Sequence, residues 1–559
     1  MTDWFFASGD AGFWWKEQIQ NLPWFPIVYR TDVGFGWSSI TSLWIDYPFR
    51  LVLKLLSTIG LSWFLIEKIL WVSVFIIAVY SSNRLANYIL KSRLSSWLAS
   101  FIYFANTYFL LLFSGGQLGV ALAYAFFPFV LLKFIQKNNQ QPATRNKELI
   151  TNGLCLALLV TFDLRLAYLL LGVIVLYQIF VKTFHFLRMG ISLFVAVLIH
   201  LFWILPTIMT RIGPSVMGED FTNPGMLKFL SVADFSHTIS LLHPNWPENL
   251  FGKVYFLQPE FLVIPILAFG SLLFVSRNQE PCLAGRQART RNNTHILFFA
   301  FLALIGAFFA KGVNPPAGGI FQWMFQYVPG FIMFRDPTKF YLFIALGYSI
   351  LIPFTLGQLA HAIGIKYQVS SIKYKKGIHN TLYFILYTFF VVFWLFTLRA
   401  VFTGEVRGNF RPVQLPNEYI QLKDKLITDG VPSRTLWIPQ KENFAYYSDV
   451  HPIVTSTAAA PIDSSIKYII VPVDVNRRIF LNDYKYDSVM RNNIVEELSN
   501  KGLLWDERFK YLAVFENPQF QSMKITIPDI VQVQQHYATI GLFISMIALI
   551  VVIILMLWH

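Results

Sequence analysis

The sequence contains little cysteine and little charge. It has 2 cysteines among 559 residues, and charged residues make up only 14% of the chain. Cys155 lies in an apolar run and Cys282 in a basic loop, so the pattern indicates neither a disulfide framework nor a metal site. Because 55% of the residues are hydrophobic, the composition excludes an ordinary soluble protein.

Several familiar motifs are missing as well. The sequence has no P-loop, no Rossmann glycine motif, no Cys/His zinc pattern and no nucleophile elbow, which argues against nucleotide-driven chemistry. The first 15 residues have neither a basic start nor an apolar core, so we expect no cleavable signal peptide. What the chain does have is a series of apolar runs of about 18 residues or more, which indicates a polytopic helical membrane protein.

The positive charges follow a regular pattern along these runs. The net charge is +14, and the basic clusters recur after every second apolar segment. This is the positive-inside pattern of cytoplasmic loops, so the charge does not indicate a nucleic-acid partner. It predicts about 11 transmembrane helices in a multi-pass inner-membrane protein whose C-terminus is cytoplasmic.

Four regions are predicted from these patterns. Residues 1–60 form a first extracytoplasmic loop that ends in an amphipathic helix over 48–60, and residues 61–402 form a core of about 10 helices. Residues 403–535 alternate strand-like and helical segments, which predicts a small extracytoplasmic α/β domain. The strand-like segments are 433–439, 466–473, 511–516 and 523–527, and the helical one is 488–502. Residues 536–559 form a last transmembrane helix.

The first loop contains a candidate catalytic acid. Asp10 follows Gly9 within the aromatic stretch Phe5 to Trp15, and the charge pattern places it outside the cytoplasm. A carboxylate between aromatic rings at a membrane surface could hold a sugar or a lipid phosphate where lipid meets water. The alternative is that Asp10 only caps a helix that begins near Phe13.

A second group of charged residues lies at span ends on the same predicted side. Asp163 and Arg165 separate two short spans, where they either bind substrate or form a structural ion pair. Arg335, Asp336 and Lys339 precede a later span. On a helix, Arg335 and Lys339 would share a face and could both contact a phosphate, or they could anchor the span at the headgroups.

A third group consists of two histidines and an acid in a long outer loop. Asp234, His237 and His243 could bind a divalent metal. Their spacing matches no established ligand pattern, so solvated loop residues are the simpler interpretation. No cofactor is therefore assigned, although a divalent metal stays an option.

Several short motifs together resemble the C-type (GT-C) superfamily of membrane glycosyltransferases, in particular the bacterial arabinofuranosyltransferase-related proteins. They are Gly9-Asp10, Asn106-Thr107-Tyr108, Ala123 to Pro128, Asp163-Leu164-Arg165, Phe334 to Phe340, Arg434 to Pro439 and Lys467 to Val471. The resemblance covers most of the chain. Members of that superfamily usually have a transmembrane helix before the first outer loop, whereas this sequence starts inside the loop.

The resemblance implies a GT-C-like bundle and an enzyme of cell-envelope polysaccharide biosynthesis. Such an enzyme moves a sugar from a polyprenyl-phosphate donor to a glycan or lipid acceptor at the extracytoplasmic face. Asp10 matches the general base of the family, and Asp163, Arg165, Arg335, Asp336 and Lys339 are expected to bind substrate. The alternatives are a transporter or flippase of lipid-linked glycans and a non-catalytic scaffold of the same fold.

Overall fold

The fold is mostly helical, with one small mixed β-sheet. The computed structural model describes residues 3–7, 9–136, 142–183, 186–211, 224–242, 259–277, 286–366, 375–406, 408–456, 462–473, 488–522 and 527–557. The segment predicted as a strand over 523–527 lies almost entirely outside the described residues, as does His243.

The helices follow the apolar runs of the sequence. Those up to residue 209 are α1 (Lys16–Gln20), α2 (Leu43–Thr58), α3 (Trp63–Leu90), α4 (Arg93–Phe104), α5 (Thr107–Ser114), α6 (Leu118–Ile135), α7 (Pro142–Phe162), α8 (Leu164–Val181), α9 (Phe186–Ile199) and α10 (Leu201–Met209). The later ones are α11 (Pro224–Leu230), α12 (Phe235–Ile239), α13 (Val263–Phe269), α14 (Ser271–Arg277), α15 (Arg286–Ala310), α16 (Gly318–Tyr327), α17 (Tyr341–Lys366), α18 (Lys375–Thr397), α19 (Arg399–Phe402), α20 (Asn417–Asp429), α21 (Ser488–Asn500) and α22 (Asp529–Leu557).

Fewer helices than predicted are long enough to cross a membrane. Among the described residues, 6 helices meet the length and apolarity of a span, or up to 8 if each of two bent pairs is one span. The bent pairs are α4 with α5, at 44°, and α9 with α10, at 83°. The segments Pro259–Val275 and Thr381–Thr397 are apolar and helical but shorter. A multi-pass membrane protein is thus confirmed, whereas a count of about 11 spans is not.

Asn106 lies at the bend between α4 and α5. Its side chain accepts a hydrogen bond from the backbone N–H of Phe109 at 3.0 Å, as an N-cap does. Its amide also donates to the carbonyl of Tyr103 at 2.6 Å and to the hydroxyl of Tyr124 at 3.0 Å. The polar groups freed by the break in the helix are therefore satisfied inside the protein, as a membrane interior requires.

The chain divides into two compact units. The first contains Met1–Leu70, Val197–Gly213 and Arg411–Val551. The second contains Trp71–Ala196, Pro214–Phe410 and Val552–His559.

The first unit contains a five-stranded mixed sheet. The strands of the chain are β1 (Trp4–Phe5), β2 (Tyr29–Arg30), β3 (Trp37–Ser38), β4 (Val413–Gln414), β5 (Arg434–Trp437), β6 (Ile453–Thr455), β7 (Ile466–Pro472), β8 (Leu504–Trp505) and β9 (Leu512–Glu516). The sheet has the order β6-β5-β7-β9-β8, in which β5 is parallel to β6 and β7 while β9 is antiparallel to its neighbours. Strands β5, β7 and β9 and helix α21 lie in segments predicted as strand-like and helical, whereas β6 and β8 were not predicted.

Each face of this sheet is covered by a different hydrophobic cluster. One cluster joins Leu498 of α21 to residues such as Ile469 and Phe515 of the central strands. The other joins Leu422 of α20 to Ile470 and includes the aromatic N-terminal segment, with Phe5 in it. The first loop of the chain is therefore part of the core of the domain that contains the five-stranded sheet, which we name the distal domain.

Helix α2 begins at Leu43. The sequence pattern predicted its start five residues later, at Pro48.

Candidate functional site

The N-terminal side of the Asp10 loop is held in place by three elements of the first unit. Strand β1 pairs with β4, so that Phe5 lies opposite Val413. The side-chain amide of Asn443 donates to the carbonyl of Ala7 at 2.7 Å. Both carboxylate oxygens of Glu67 accept from the backbone N–H of Phe6, at 3.2 and 3.3 Å. These contacts leave the backbone little freedom just before Asp10.

The C-terminal side of the loop is held by the distal domain too. The indole N–H of Trp15 donates to the carbonyl of Phe444 at 3.2 Å, and the amide of Gln18 donates to the carbonyl of Tyr447 at 3.0 Å. The ring of Phe13 lies 5.1 Å from that of Phe444, measured between centroids. The loop is therefore closed on both sides by aromatic and hydrogen-bonded contacts.

Asp10 lies at the turn between these two fixed points, with its side chain exposed. Gly9 before it has a φ of 59°, in the left-handed region that favours glycine. The interpretation of Asp10 as a helix cap near Phe13 is wrong, because the helix that follows begins at Lys16 and has Trp15 at its N-cap. Its exposure leaves the carboxylate available for chemistry.

In the second unit, Asp163 is a helix cap and an ion-pair partner at once. Its carboxylate accepts from the backbone N–H groups of Arg165 at 2.9 Å and Leu166 at 3.1 Å, and so caps α8. It also forms a salt bridge of 2.6 Å with the guanidinium of Arg165. The side chain of Asp163 is 1% exposed and that of Arg165 is 32% exposed. Asp163 and Arg165 thus form the ion pair considered as the structural alternative, and Arg165 is its more exposed member.

The segment from Arg335 to Lys339 is not one helix. Residues Phe331–Phe334 and Pro337–Phe340 form two separate 3-10 turns, so the prediction that Arg335 and Lys339 share a helical face is wrong. Proline at 337 starts the second turn, with Asp336 as its cap.

Asp336 binds the nearby donors. Its carboxylate accepts from the Thr338 hydroxyl at 2.6 Å and from the Lys339 ammonium at 2.9 Å. Burial alone would raise the pKa of the Asp336 carboxyl, but the Lys339 charge and the Thr338 hydrogen bonds outweigh it and hold that pKa well below its usual range. Lys339 is 2% exposed, and its ammonium also lies 3.4 Å from the amide oxygen of Gln117. Lys339 therefore neutralises Asp336 inside the protein.

These two groups of charges meet in the second unit. Tyr168, on α8, donates its hydroxyl to the carbonyl of Pro329 at 3.1 Å, and its ring lies 5.7 Å from that of Phe334. Arg165 interacts electrostatically with Asp336. Burial lowers the pKa of the Arg335 guanidinium; the Asp336 charge opposes this shift, and the positive charge of Arg165 adds to it.

We name the set Asp163, Arg165, Arg335, Asp336 and Lys339 the charged cluster. It contains three cations and two carboxylates. One cation, Lys339, is buried against its carboxylate, whereas Arg165 and Arg335 are partly exposed. The cluster thus has one excess positive charge, and its two partly exposed cations are guanidinium groups, which suit a phosphate by geometry and charge.

Tyr108 and Gln117 belong to this neighbourhood but carry no role in the sequence prediction. Tyr108 is 1% exposed and interacts electrostatically with Asp336 and Asp163. Tyr108 lies in an apolar run and Gln117 follows a short turn, and no sequence pattern marks either residue as functional. Only the motif Asn106-Thr107-Tyr108 indicated this region. Asp10 belongs to the first unit and the charged cluster to the second.

The metal site considered for Asp234, His237 and His243 is only partly covered by the structure. Asp234 and His237 are hydrogen-bonded to each other at 2.7 Å, and His243 lies outside the described residues. In the described part of the chain, no group of three or more His, Cys, Asp or Glu side chains could hold a metal ion. We derive no step of the chemistry from a metal.

Comparisons with known proteins connect this architecture to one enzyme. No protein-family model matches the sequence, and neither does any curated protein. The structure of the arabinofuranosyltransferase AftD from mycobacteria is similar, with a TM-score of 0.54 and 12% identity over 91% of this chain. Two structures of a mutant of that enzyme, also 12% identical, have TM-scores of 0.48 and 0.43 over 89% and 88% of this chain.

The chain covers 38% of the length of the AftD chain in each of these structures. At this identity, the similarity concerns the fold. The resemblance predicted from the sequence motifs is confirmed at that level: the fold of this chain is similar to that of a mycobacterial arabinofuranosyltransferase.

Proposed function

We propose that the chain is a membrane glycosyltransferase that moves a sugar from a polyprenyl-phosphate donor to a hydroxyl group of a glycan or lipid acceptor. The observation that carries the proposal is the charged cluster, in which both carboxylates are engaged by neighbouring groups and two guanidiniums are partly exposed. The fold shared with an arabinofuranosyltransferase supports the same class of reaction. The recurrence of basic clusters after every second apolar segment supports an extracytoplasmic site.

The reaction needs a base and a stabilised leaving group. The acceptor oxygen forms a bond to the anomeric carbon of the donor sugar, and its proton passes to the Asp10 carboxylate. The bond between that carbon and the phosphate oxygen breaks, and polyprenyl phosphate leaves with the electron pair. Arg165 and Arg335 stabilise the negative charge that develops on the phosphate.

The distal domain supplies a candidate surface for the acceptor. A depression of about 420 Å³ lies beside the edge strand β8 and is lined by Lys425, Leu504, Trp505, Asp506, Glu507, Arg508 and Glu516. The ring of Trp505 is 50% exposed. An exposed indole among hydrogen-bonding side chains suits the apolar face and the hydroxyls of a sugar.

Purified protein in proteoliposomes tests the proposal directly. With a labelled polyprenyl-phosphate arabinofuranose in the outer leaflet only and a glycan acceptor outside, we expect label to appear covalently on the acceptor. Movement of the lipid across the bilayer without covalent transfer would identify a flippase instead. Binding of the lipid with neither transfer nor movement would identify a non-catalytic scaffold.

Arg335 tests the phosphate-binding part of the proposal. We expect Arg335→Ala to raise the KM for the donor about tenfold or more, because a charge-assisted hydrogen bond to phosphate is lost. Arg335→Lys should recover only part of the affinity, since an ammonium cannot reproduce the planar bidentate contact. The measurement is the initial rate of transfer against donor concentration.

Arg399→Ala is a matched control for that experiment. Arg399 belongs to the second unit and forms a partly exposed ion pair with Glu260, at 2.8 Å. We expect its donor KM to stay within about twofold of the wild type, because such pairs contribute little. Equal KM values for the two alanine variants would remove Arg335 from the donor site.

Asn443 tests whether the distal domain positions Asp10. We expect Asn443→Leu to lower kcat about tenfold with little change in donor KM, because the Ala7 carbonyl loses its amide partner and the loop loses its fixed start. The control is Asn500→Leu, an exposed site on α21 in the same domain. Adding Asn443→Leu to an Asp10→Ala protein should cause no further loss, and an independent loss there would contradict a positioning role.

A further inference from the structure

A carboxylate and an imidazole form a hydrogen-bonded pair in the second unit. Asp234 caps the short helix α12 by accepting from the backbone N–H of His237 at 2.9 Å. The same carboxylate oxygen lies 2.7 Å from Nδ1 of the His237 ring and accepts from the Ser236 hydroxyl at 2.6 Å. Burial raises the pKa of the Asp234 carboxyl, but these hydrogen bonds from Ser236 and His237 bring it below its usual value. Asp234 is therefore an ionised acceptor that orients the imidazole.

This contact determines which ring nitrogen of His237 carries the proton. Because Nδ1 faces a carboxylate oxygen, it is the N–H donor, and in the neutral ring Nε2 then presents a lone pair. His237 is 3% exposed, and Nε2 has no hydrogen-bond partner in the part of the chain that the structure describes. A buried acceptor without a donor costs free energy, which a ligand that donates a hydrogen bond would recover.

The surroundings of α12 connect it to the charged cluster within the same unit. Thr238, beside His237, donates its hydroxyl to the carbonyl of Ala307 on α15 at 2.9 Å. Tyr341 donates to the carbonyl of Leu242 at 3.1 Å and interacts electrostatically with Asp234.

Two stacked tyrosines complete this connection. The ring of Tyr341 lies on that of Tyr108, with centroids 5.6 Å apart. Tyr108 in turn interacts electrostatically with Asp336 and Asp163 of the charged cluster. The Asp234–His237 pair and the charged cluster are thus connected through one pair of aromatic rings.

We propose that Nε2 of His237 accepts a hydrogen bond from a hydroxyl group on the sugar of the donor, while Arg165 and Arg335 bind its phosphate. The inference rests on the proposed function and names a second binding site for the same substrate. A lone pair beside an ionised carboxylate repels a phosphate and attracts a neutral O–H donor. In a polyprenyl-phosphate sugar, such hydroxyls are on the ring whose anomeric carbon carries the phosphate, so one substrate supplies both groups.

The test compares the binding of two lipids that differ only in the sugar. The probes are polyprenyl-phosphate arabinofuranose and bare polyprenyl phosphate of the same chain length, titrated calorimetrically against the detergent-solubilised full chain. We expect His237→Phe to weaken binding of the sugar-bearing lipid roughly tenfold, as the loss of one buried hydrogen bond predicts, and to leave the bare lipid unaffected. His237→Gln retains an amide that can accept a hydrogen bond and should recover part of the difference.

His295→Phe is the matched control. His295 is also 3% exposed and in the second unit, but its Nδ1 is paired with the hydroxyl of Tyr177 at 3.2 Å. We expect it to bind both lipids as the wild type does. The midpoint of thermal unfolding of each variant shows whether its fold is retained.

The outcomes separate this inference from the proposed function. If His237→Phe and the wild type discriminate equally between the two lipids, the hydroxyl site is wrong while the transferase proposal stands. A wild-type protein that binds neither lipid contradicts the proposed function itself. An effect of a chelator or of added Zn²⁺ on wild-type binding, absent in His237→Phe, would assign His237 to a metal and overturn the hydroxyl site.

Discussion

Replacing Asp10 with asparagine is expected to lower kcat for sugar transfer about a thousandfold, which is the contribution of a general base. The substitution keeps the size and hydrogen-bonding capacity of the side chain but removes its ability to take a proton. The exposed position of Asp10 at a turn means that folding should not change. The measurement is single-turnover transfer from the labelled donor, with donor binding measured separately to show that KM effects are small.

Asp3 provides the control for this experiment. It is another exposed aspartate of the N-terminal segment, seven residues before Asp10. We expect Asp3→Asn to retain full transfer. If Asp10→Asn did so too, the base would have to be a different group, and the contacts that hold the Asp10 loop would have only a structural role.

The second large effect is expected at Asp163, on stability. Asp163→Leu removes the cap of α8 and leaves the Arg165 guanidinium without the carboxylate that it contacts at 2.6 Å. Breaking a buried pair in this way costs about 3–5 kcal/mol, and because Arg165 is partly exposed we expect about 3 kcal/mol less free energy of unfolding. The measurement is chemical unfolding in detergent, followed by tryptophan fluorescence.

Asp163→Asn separates the two functions of that side chain. The amide oxygen can still accept from the backbone N–H groups of Arg165 and Leu166, so the helix cap is retained while the charge is lost. We expect the free energy of unfolding to fall by less than in the leucine variant but by more than in the control, Glu405→Gln. Glu405 is an exposed residue of the same unit, and its substitution should change stability by less than about 0.5 kcal/mol.

The same variant decides between the two interpretations of Asp163 from sequence. An Asp163→Asn protein that loses stability but transfers sugar normally shows that the negative charge serves the fold. A stable protein that no longer transfers sugar would place Asp163 in the substrate site. The two interpretations therefore differ in both stability and transfer rate, so both quantities are measured.

The charged cluster shows how tertiary contacts change the meaning of a sequence motif. From sequence, Arg335 and Lys339 are equivalent candidates for binding phosphate. In the structure, the chain breaks between two 3-10 turns, and Lys339 is buried against Asp336. Lys339 is therefore better suited to balancing a carboxylate than to contacting a substrate, and the exposed positive charge is carried by Arg165 and Arg335.

The sequence by itself determined the membrane class, the positions of the apolar segments, three of the five strands of the sheet and the short motifs that resemble those of the C-type superfamily. Each of these features follows from one segment of the sequence, either from its periodicity or from the charge beside an apolar run. Only the tertiary structure decided that the Asp10 loop belongs to the core of the distal domain, through contacts such as that between Ala7 and Asn443, 436 residues apart. It also decided which charges neutralise each other and that His237 has a buried, unpaired Nε2 among the described residues. Such pairings depend on how distant segments pack, and no local pattern carries that information.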